Sequence, residues 1–251
     1  MTVASSNTTA DEFLGGKLLI KQPRNGYRAG IDPVLLAASV NAKAKQTVLE
    51  LGCGVGVASL CLGYRVPDLH LTGLEIQPAL AQLAMENGQY NNIQMDVVTG
   101  DLAVLPQGLK SCQFDHVIAN PPYFDRLKTT PAGDPSRERS MGEQTPLTCW
   151  TSVAAKRTKP KGYAHFIFRS ERLPELLHAL PKELGSFRVL PLSARVGRVS
   201  ELLILRARKS GRAGFCLEAP IIMHKGKEHT KDGDSYTDLL RRVLRDGAKL
   251  D

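Results

Sequence analysis

The sequence predicts an α/β fold built around a mostly parallel, doubly wound sheet with an antiparallel pair of strands at one edge. From residue 47 onward, short apolar segments typical of buried strands alternate with longer segments that have the apolar spacing of helices. The strand segments are 47–51, 69–75, 93–99, 114–119 and 163–168, and the helical segments are 57–64, 77–90, 147–156 and 171–180. Strands joined through helices of this length are parallel, because a crossover is needed to return to the same edge. Two further strand segments, 187–192 and 201–206, have no helix between them and therefore predict the antiparallel pair.

Shorter elements are predicted before this alternation. Residues 5–9 are rich in Ser, Thr and Asn and are expected to be a frayed end. A Pro and an Asn-Gly pair within 23–26 favour a turn, which predicts a short hairpin between 18–21 and 27–28.

A helix and two terminal additions complete the expected organisation. Asp32 followed by Pro is typical of a helix start, and the helix is expected to continue to about Ala42. Near the C-terminus, 216–223 is strand-like and 236–245 is helical in pattern. The chain is therefore predicted to be a single globular unit made of a leader, a core and a C-terminal addition that packs on the core, with the bounds 1–45, 46–209 and 210–251.

Composition and charge indicate a folded protein with a polyanionic partner. With 251 residues, 42% hydrophobic and 23% charged, the chain can bury a full core. Residues 1–120 carry 8 Lys and Arg against 10 Asp and Glu, a net charge of −2. Since the whole chain has a net charge of +8, residues 121–251 have a net charge of +10. Clustered positive charge is the usual mark of a nucleic acid partner. A charge that serves only solubility stays open as the alternative.

Other classes of protein are disfavoured by what the sequence lacks. No apolar segment is long enough to span a bilayer and the N-terminus has no signal-peptide core, so a soluble cytoplasmic protein is expected. The five cysteines include no Cys-x-x-Cys pair, and His224 and His229 have no further ligands arranged around them, so no metal site is predicted. Trp150 is expected in the core. The sequence does not distinguish a monomer from a dimer.

The most informative local pattern is an apolar strand that runs into Gly52, Gly54 and Gly56 before a helix. Glycine permits a sharp turn and a close approach of the backbone to a ligand, so a nucleotide-like ligand is expected at the end of this strand. The dinucleotide fingerprint G-x-G-x-x-G/A fails, because neither register ends in Gly or Ala. Glu50 adds a carboxylate beside the turn, which favours a cationic ligand over a pyrophosphate. S-adenosylmethionine, with a positive sulfonium and no phosphate, is therefore the predicted cofactor.

Two acidic residues follow the next strands at positions that suit a nucleoside. Glu75 ends the second core strand, 23 residues after Gly52, where its carboxylate can accept hydrogen bonds from both ribose hydroxyls. Asp101 follows the third strand and is placed to meet the amino group of adenine. A solvated strand end is the alternative for Glu75, but the glycine turn at this distance favours the ribose role.

The sequence Asn120-Pro121-Pro122-Tyr123 directly follows the apolar fourth strand. Two prolines remove two backbone donors and fix two φ angles, so the carbonyls of Asn120 and Pro121 can point at a ligand. With the Asn120 side-chain oxygen they can accept both hydrogens of an exocyclic NH2 group, which favours a tetrahedral nitrogen with a usable lone pair. Tyr123 offers a face on which a flipped base can stack. A proline-rich loop with a capping Asn is the alternative for the tetrapeptide alone.

These residues resemble the class I methyltransferases, and among them the amino methyltransferases that carry a D/N-P-P-Y/F/W motif. The resemblance covers about 47–168. The segment 22–37 is similar to the one before the glycine motif in bacterial tRNA (adenine-N6)-methyltransferases that act on valine tRNA at position 37, and 137–139 and 235–237 resemble that group as well. The resemblance implies a Rossmann-like, seven-stranded sheet and a leader that lies over the cofactor. It also implies S-adenosyl-L-methionine as cofactor and S-adenosyl-L-homocysteine as product.

The motifs and the resemblance together define a predicted site. The residues predicted to bind the cofactor are Tyr27, Asp32, Glu50, Gly52, Cys53, Gly54, Gly56, Glu75, Ile76, Asp101, Leu102 and Asn120. The residues predicted to carry catalysis are Asn120, Pro121, Pro122 and Tyr123. The predicted RNA contacts are Tyr123, Arg137, Arg139, Lys225, Lys227 and Lys231, with a solvated charge run as the alternative for the lysines and arginines.

Several functions use these features, and adenine-N6 methylation of tRNA is the leading hypothesis. Methylation of a release-factor glutamine at N5 uses the same Asn-Pro-Pro-Tyr chemistry, but the roughly 45 residues before the first core strand leave little room for the helical domain that such enzymes carry. An rRNA guanine-N2 methyltransferase is a further alternative. A non-catalytic RNA-binding module is disfavoured, because Glu50, Glu75 and the Asn-Pro-Pro-Tyr motif are intact.

Overall fold

An antiparallel hairpin and a short helix precede the central sheet. The computed structural model describes residues 7–26, 28–122, 145–228 and 235–250. Within them, β1 (Thr8–Phe13) pairs with β2 (Leu18–Pro23), and the turn between them contains Leu14, Gly15 and Gly16 at positive φ. Helix α1 (Asp32–Ser39) follows, with Ile31 at its N-cap.

Three sequence-based expectations for this leader are wrong. Thr8 and Thr9 belong to β1 rather than to a frayed end, because their polar side chains give no apolar signal for a half-buried strand. The partner of β2 is β1 and not 27–28: Arg28 lies outside any strand, and Tyr27 is outside the described residues. Helix α1 ends at Ser39, short of residue 42, because Val40 is extended and its N–H bonds back to the carbonyl of Ala37.

Seven long strands form the predicted parallel sheet with its antiparallel edge. They are β3 (Thr47–Leu51), β4 (His70–Glu75), β5 (Met95–Thr99), β6 (Phe114–Ala119), β7 (Thr158–Arg169), β8 (Leu184–Ser193) and β9 (Ser200–Lys209). Their spatial order is β5-β4-β3-β6-β7-β9-β8, and β9 is the antiparallel member. The doubly wound α/β fold and its edge pair are confirmed, and the carboxyl ends of β3 to β6 meet along one edge.

The outer side of β8 carries two additional short strands. β10 (Cys216–Leu217) and β11 (Ile221–Ile222) both pair with β8 in parallel, so the sheet has nine strands in the described part of the chain. The predicted strand segment 216–223 is thus interrupted, and Pro220 lies in the gap, where it has no N–H to donate to the ladder.

Helices cover both faces of the sheet. The remaining helices are α2 (Val57–Arg65), α3 (Pro78–Tyr90), α4 (Gln107–Lys110), α5 (Leu147–Arg157), α6 (Leu173–Ala179) and α7 (Asp238–Asp246), and a 3-10 turn covers Ser170–Arg172. One core cluster joins α1, α2, α3 and α7 to the leader hairpin, and the other contains residues of α4, α5 and α6. Neighbouring residues of β3 alternate between them, since Val48 faces the first cluster and Leu49 the second. Burial on both faces explains why the core strands are continuous apolar runs.

Among the residues that the structure describes, no helix has the length and apolar character needed to cross a lipid bilayer.

Candidate active site

The loop after β3 turns sharply because its glycines adopt conformations that other residues avoid. Gly52, Gly54 and Gly56 have φ angles of 65°, 54° and 87°, all in the left-handed region. At Gly52 a side chain is also excluded by space, since a Cβ there would lie 2.7 Å from the Trp150 ring. At Gly54 the space is open, so its φ angle alone requires glycine. The alternate glycines therefore shape a loop with an open side.

Glu50 places a buried carboxylate directly beneath this loop. Its Oε2 accepts hydrogen bonds from the Ser59 N–H at 2.9 Å and the Ser59 hydroxyl at 2.5 Å. Burial raises the pKa of Glu50 to about 7, and the bonds from Ser59 only partly offset this effect. No basic side chain in the described residues pairs with Glu50, so a positive ligand would stabilise its charged form.

Glu75, at the end of β4, holds the other side of the same loop. Its Oε2 accepts a hydrogen bond from the Gly54 N–H at 2.8 Å, and its Oε1 accepts one from the Gln77 N–H at 2.9 Å. Burial raises the pKa of Glu75 as well. Each carboxylate oxygen has a further lone pair, so both can still accept a hydroxyl hydrogen from a ligand.

A single cavity opens above these residues at the carboxyl edge of the sheet. It brings together eleven of the predicted site residues: Glu50, Gly52, Cys53, Gly54, Glu75, Ile76, Asp101, Leu102, Asn120, Pro121 and Pro122. The glycine turn and the proline turn, 68 residues apart in the chain, therefore face the same space. Gly56 and Asp32 do not line it: Gly56 is the N-cap of α2, and Asp32 lies in the first turn of α1.

The far wall of the cavity combines polar and apolar groups that suit a nucleoside. Asp101 is held by a hydrogen bond that its Oδ1 accepts from the Ala103 N–H at 2.8 Å. Ile76 is 55% exposed, and Leu102 is buried against the core. An exposed isoleucine next to a buried carboxylate provides an apolar surface for a flat ring.

Trp150 of α5 forms the floor under Gly52. Its ring belongs to the core cluster, as the sequence predicts, and it also lines the cavity. Its Nε1 is buried without a hydrogen-bond partner among the described residues. Trp150 thus fixes the position of the glycine loop by direct contact, and sequence reasoning did not assign it to the site.

The resemblance implied that the leader, with residues 27–32, lies over the cofactor, but sequence reasoning did not assign Gln22 or Pro33 to the site. Gln22 of β2 is 2% exposed and lines the cavity together with Ala29 and Pro33. The Gln22 side chain donates to Asp11 at 2.6 Å and accepts a hydrogen bond from the Ala29 N–H at 2.8 Å. These contacts place the segment before α1 against the cofactor side of the cavity.

Two asparagines, Asn87 of α3 and Asn91 at the C-cap of the same helix, anchor this leader strand. The Asn87 side chain accepts a hydrogen bond from the Lys21 N–H at 2.8 Å and donates to the carbonyls of Lys21 at 3.1 Å and Val55 at 3.0 Å. Asn91 pairs in the same way with the N–H and carbonyl of Leu19, both at 2.9 Å. The only sequence signal is their spacing of four residues, which places both on one side of the helix.

The predicted RNA contacts are only partly within the described residues. Tyr27, Tyr123, Arg137, Arg139 and Lys231 lie outside them. Lys225 forms an ion pair with Asp238 at 2.7 Å, whereas the Lys227 side chain is exposed.

Comparison with known proteins identifies relatives that match a large part of the chain. The family described as Methyltransferase small domain matches residues 29–133. A tRNA1(Val) (adenine(37)-N6)-methyltransferase from Porphyromonas gingivalis (strain ATCC BAA-308 / W83) is 30% identical over 182 residues, which are 68% of this chain and 70% of that protein. A protein of the same name from Histophilus somni (strain 129Pt) is 27% identical over 218 residues, which are 85% of this chain and 89% of that protein.

Comparison with solved structures gives the same fold. A protein from Agrobacterium tumefaciens described as a predicted O-methyltransferase, Atu636, superimposes with a TM-score of 0.70. The match covers 87% of this chain and 97% of that one, at 22% sequence identity. At this level of identity the likeness concerns the fold.

Proposed function

The chain belongs to the family of the tRNA1(Val) (adenine(37)-N6)-methyltransferases, and on this premise we propose that it methylates N6 of adenine 37 in tRNA1(Val) with S-adenosylmethionine as methyl donor. The observation that carries the proposal is the shared cavity, in which Glu50 and Glu75 face the Asn120-Pro121-Pro122 turn. The carboxylates suit the donor and the turn suits the acceptor.

The charges of the cavity fit this cofactor. Among its described lining residues are three carboxylates, those of Glu50, Glu75 and Asp101, and no Lys, Arg or His. A pyrophosphate would be repelled there, whereas a ligand with a sulfonium, an ammonium and no phosphate is attracted. When bound, S-adenosylmethionine supplies an electrophilic methyl group on its positive sulfur. Glu75 would accept the ribose hydroxyl hydrogens, Asp101 would accept a hydrogen from the adenine amino group, and Ile76 and Leu102 would contact the ring.

The turn after β6 prepares the acceptor nitrogen. The prolines at 121 and 122 have no N–H and cannot continue a helix or a strand ladder, so the chain turns irregularly where it lines the cavity. The Asn120 side-chain oxygen and the Pro121 carbonyl each accept one hydrogen of the adenine N6 amino group. This arrangement frees the nitrogen lone pair from conjugation and directs it towards the donor side of the cavity. Once methylated, the nitrogen is acidic and loses a proton to water, so no strong general base is needed.

The acceptor is proposed to be RNA on the basis of charge as well as family. Residues 121–251 carry a net charge of +10, which is more than the +8 of the whole chain. Phosphate contacts from Lys and Arg supply most of the sequence-independent affinity for a nucleic acid. An adenine held in the turn must leave its stack, and this costs less free energy for an unpaired base of a tRNA loop than for a base in a duplex.

The proposal is tested with labelled S-adenosylmethionine and four acceptors: a tRNA1(Val) transcript, the same transcript with guanine at position 37, 16S rRNA and a release factor. Label should enter only the first. Label in the position-37 variant would refute the assigned nucleotide, and label only in rRNA or release factor would refute the tRNA substrate.

The role of Asn120 is tested by substitution. Asn120→Ala should lower kcat by about 10²–10³, by analogy with the loss of one group that stabilises a transition state, while the Kd for S-adenosylmethionine stays within threefold. Asn41→Ala is the matched control, because Asn41 is exposed, does not line the cavity and accepts a hydrogen bond from the Lys249 side chain at 2.9 Å. Retained turnover in Asn120→Ala would contradict the mechanism.

A further inference from the structure

The hairpin that joins β8 and β9 lies at the same edge of the sheet as the candidate active site. β8 runs in the direction of β6, because both β7 and β8 are antiparallel to β9 and β7 is parallel to β6. The end of β8 and the Asn120-Pro121-Pro122 turn therefore point the same way. At about 4.8 Å per strand, the hairpin lies roughly 10–15 Å along the edge from that turn.

The register shows that this hairpin projects beyond the sheet. Ala119 of β6 pairs with Phe166, and Leu202 of β9 pairs with Arg169, three residues farther along β7. Leu202 is therefore level with Pro122, and residues 194–199, which we call the hairpin tip, extend past that level. The tip therefore stands beside the cavity, at the edge of the sheet where the Asn120-Pro121-Pro122 turn lies.

The hairpin tip exposes both apolar and cationic groups. Val196 is 62% exposed and Val199 is 84% exposed, which is unusual for two β-branched side chains so close together. Arg195 and Arg198 flank them, and the tip contains no acidic residue. The Arg198 side chain is exposed and makes no hydrogen bond or ion pair with another described residue.

A second exposed segment, residues 225–228, lies beside the hairpin tip, and we call it the lysine loop. It follows β11, and the His224 N–H, two residues after that strand, donates to the carbonyl of Ala194 in the hairpin tip at 2.9 Å. Arg195 donates to the Lys225 carbonyl and, at 3.4 Å, to the Ser235 hydroxyl. The two segments are therefore braced together before any ligand arrives, which lowers the entropy lost on binding.

We propose that the hairpin tip and the lysine loop form a docking surface for the RNA strand next to the target nucleotide. The proposal rests on the proposed function, since it places the substrate of that same cavity. Arg198 and Lys227 contact phosphates, and the two valines contact an unstacked base. The 10–15 Å between tip and cavity corresponds to about three to four nucleotides at the spacing of a helical strand. The surface therefore reads the segment that adjoins the methylated base.

The charge of this surface favours RNA over a second copy of the chain. Lys225 is already paired with Asp238, but Arg198 and Lys227 remain available to an anion. In a symmetric dimer through the tip, the arginines of both copies would come together, and such like-charge contacts oppose association. A phosphate backbone neutralises them instead.

The first test compares Arg198→Gln with Arg212→Gln. Arg212 is exposed in the connection after β9, at the opposite edge of the sheet, and its substitution makes the same change in charge. Arg198→Gln should raise the KM for tRNA1(Val) about fivefold, with kcat and the Kd for S-adenosylmethionine within twofold. The slope of log Kd for tRNA against log salt should fall by about one. Arg212→Gln should match the wild type in all four values.

The second test replaces the valines. The double variant Val196→Ser, Val199→Ser should weaken tRNA binding severalfold without a change in the salt slope, because no charge is removed.

If Arg198→Gln and Arg212→Gln behave alike while the wild type methylates tRNA, the docking surface is wrong and the proposed function stands. If the wild type methylates no tRNA, the proposed function fails, and direct binding of tRNA1(Val) by the same variants still decides the docking surface. A wild-type dimer that Val199→Ser dissociates, with unchanged tRNA binding, would overturn the proposal and make the tip a self-interface.

Discussion

Replacement of Asn87 by alanine should loosen the link between the leader hairpin and the glycine loop. Asn87 is fully buried, and its side chain makes three hydrogen bonds to backbone groups of Lys21 and Val55. The substitution leaves one N–H and two carbonyls without these partners. At about 1 kcal/mol for each hydrogen bond, the free energy of unfolding should fall by roughly 3 kcal/mol. For a chain of this size that is a decrease in Tm of roughly 6–12 °C.

The same substitution should weaken cofactor binding. Strand β2 carries Gln22, which lines the cavity, and Asn87 is the side chain that ties this strand to Val55 of the glycine loop. We expect the Kd for S-adenosylmethionine to rise about tenfold, an effect of roughly 1.4 kcal/mol. The measurements are urea unfolding and calorimetric titration of the folded variant at a temperature well below its Tm.

Asn91→Ala is the matched control, because Asn91 holds Leu19 of the same strand but makes no bond to the glycine loop. The Asn91 side chain also makes three hydrogen bonds, two with Leu19 and one to the Asn87 carbonyl at 2.8 Å, so this variant should likewise lose about 3 kcal/mol of stability. Its Kd for S-adenosylmethionine should nevertheless stay within twofold. An Asn87→Ala protein within 0.5 kcal/mol of the wild type would refute the hydrogen-bond reasoning. Equal losses of cofactor affinity in the two variants would refute the specific link to Val55.

Two further predictions concern pH. Because burial raises the pKa of Glu50 to about 7 and a cationic cofactor binds the ionised form, the affinity for S-adenosylmethionine should fall by up to about tenfold per pH unit below 7. Calorimetry should show this dependence lost in Glu50→Gln, and a flat wild-type profile would contradict it. Burial lowers the pKa of His116 from 6.5 to about 4. Between these two values the unfolded chain therefore binds a proton that the folded chain does not. As the pH falls from 6.5 to 5, the free energy of unfolding should decrease by about 2 kcal/mol because of this residue. The double variant His116→Gln, His165→Phe removes this buried histidine pair, whose ring nitrogens are 3.2 Å apart. Urea titrations of this variant should show a smaller decrease in the free energy of unfolding over the same pH range. An unchanged decrease would exclude the histidine pair as its cause.

Local patterns were sufficient for most of the secondary structure. The apolar runs of β3 and β6 and the helix spacing of α3 are strong enough that their predicted bounds agree with the structure within a residue. β1 was missed, because a half-exposed strand of Thr, Asp and Glu has no apolar run to mark it. The break between β10 and β11 was missed, although Pro220, which has no N–H to donate to a ladder, lies in the gap.

The cavity was predictable where motifs mark strand ends. The carboxyl ends of parallel neighbours meet at one edge, so Glu50, Glu75, Asp101 and Asn120 could be grouped by their position after strands alone. Gln22 and Trp150 could not be grouped with them, because no local pattern records which side chain from a distant segment fills the remaining wall.

By itself, the sequence determined the alternation of strands and helices, the glycine and proline turns, and the acidic character of the predicted cofactor site, because each depends on residues close together in the chain. Only the tertiary structure decided that Asn87 joins Lys21, 66 residues away, to Val55, 32 residues away, and that the β8–β9 hairpin projects beside the cavity. Such contacts depend on strand order, register and side-chain direction, which are fixed when the whole chain packs and not by any local segment.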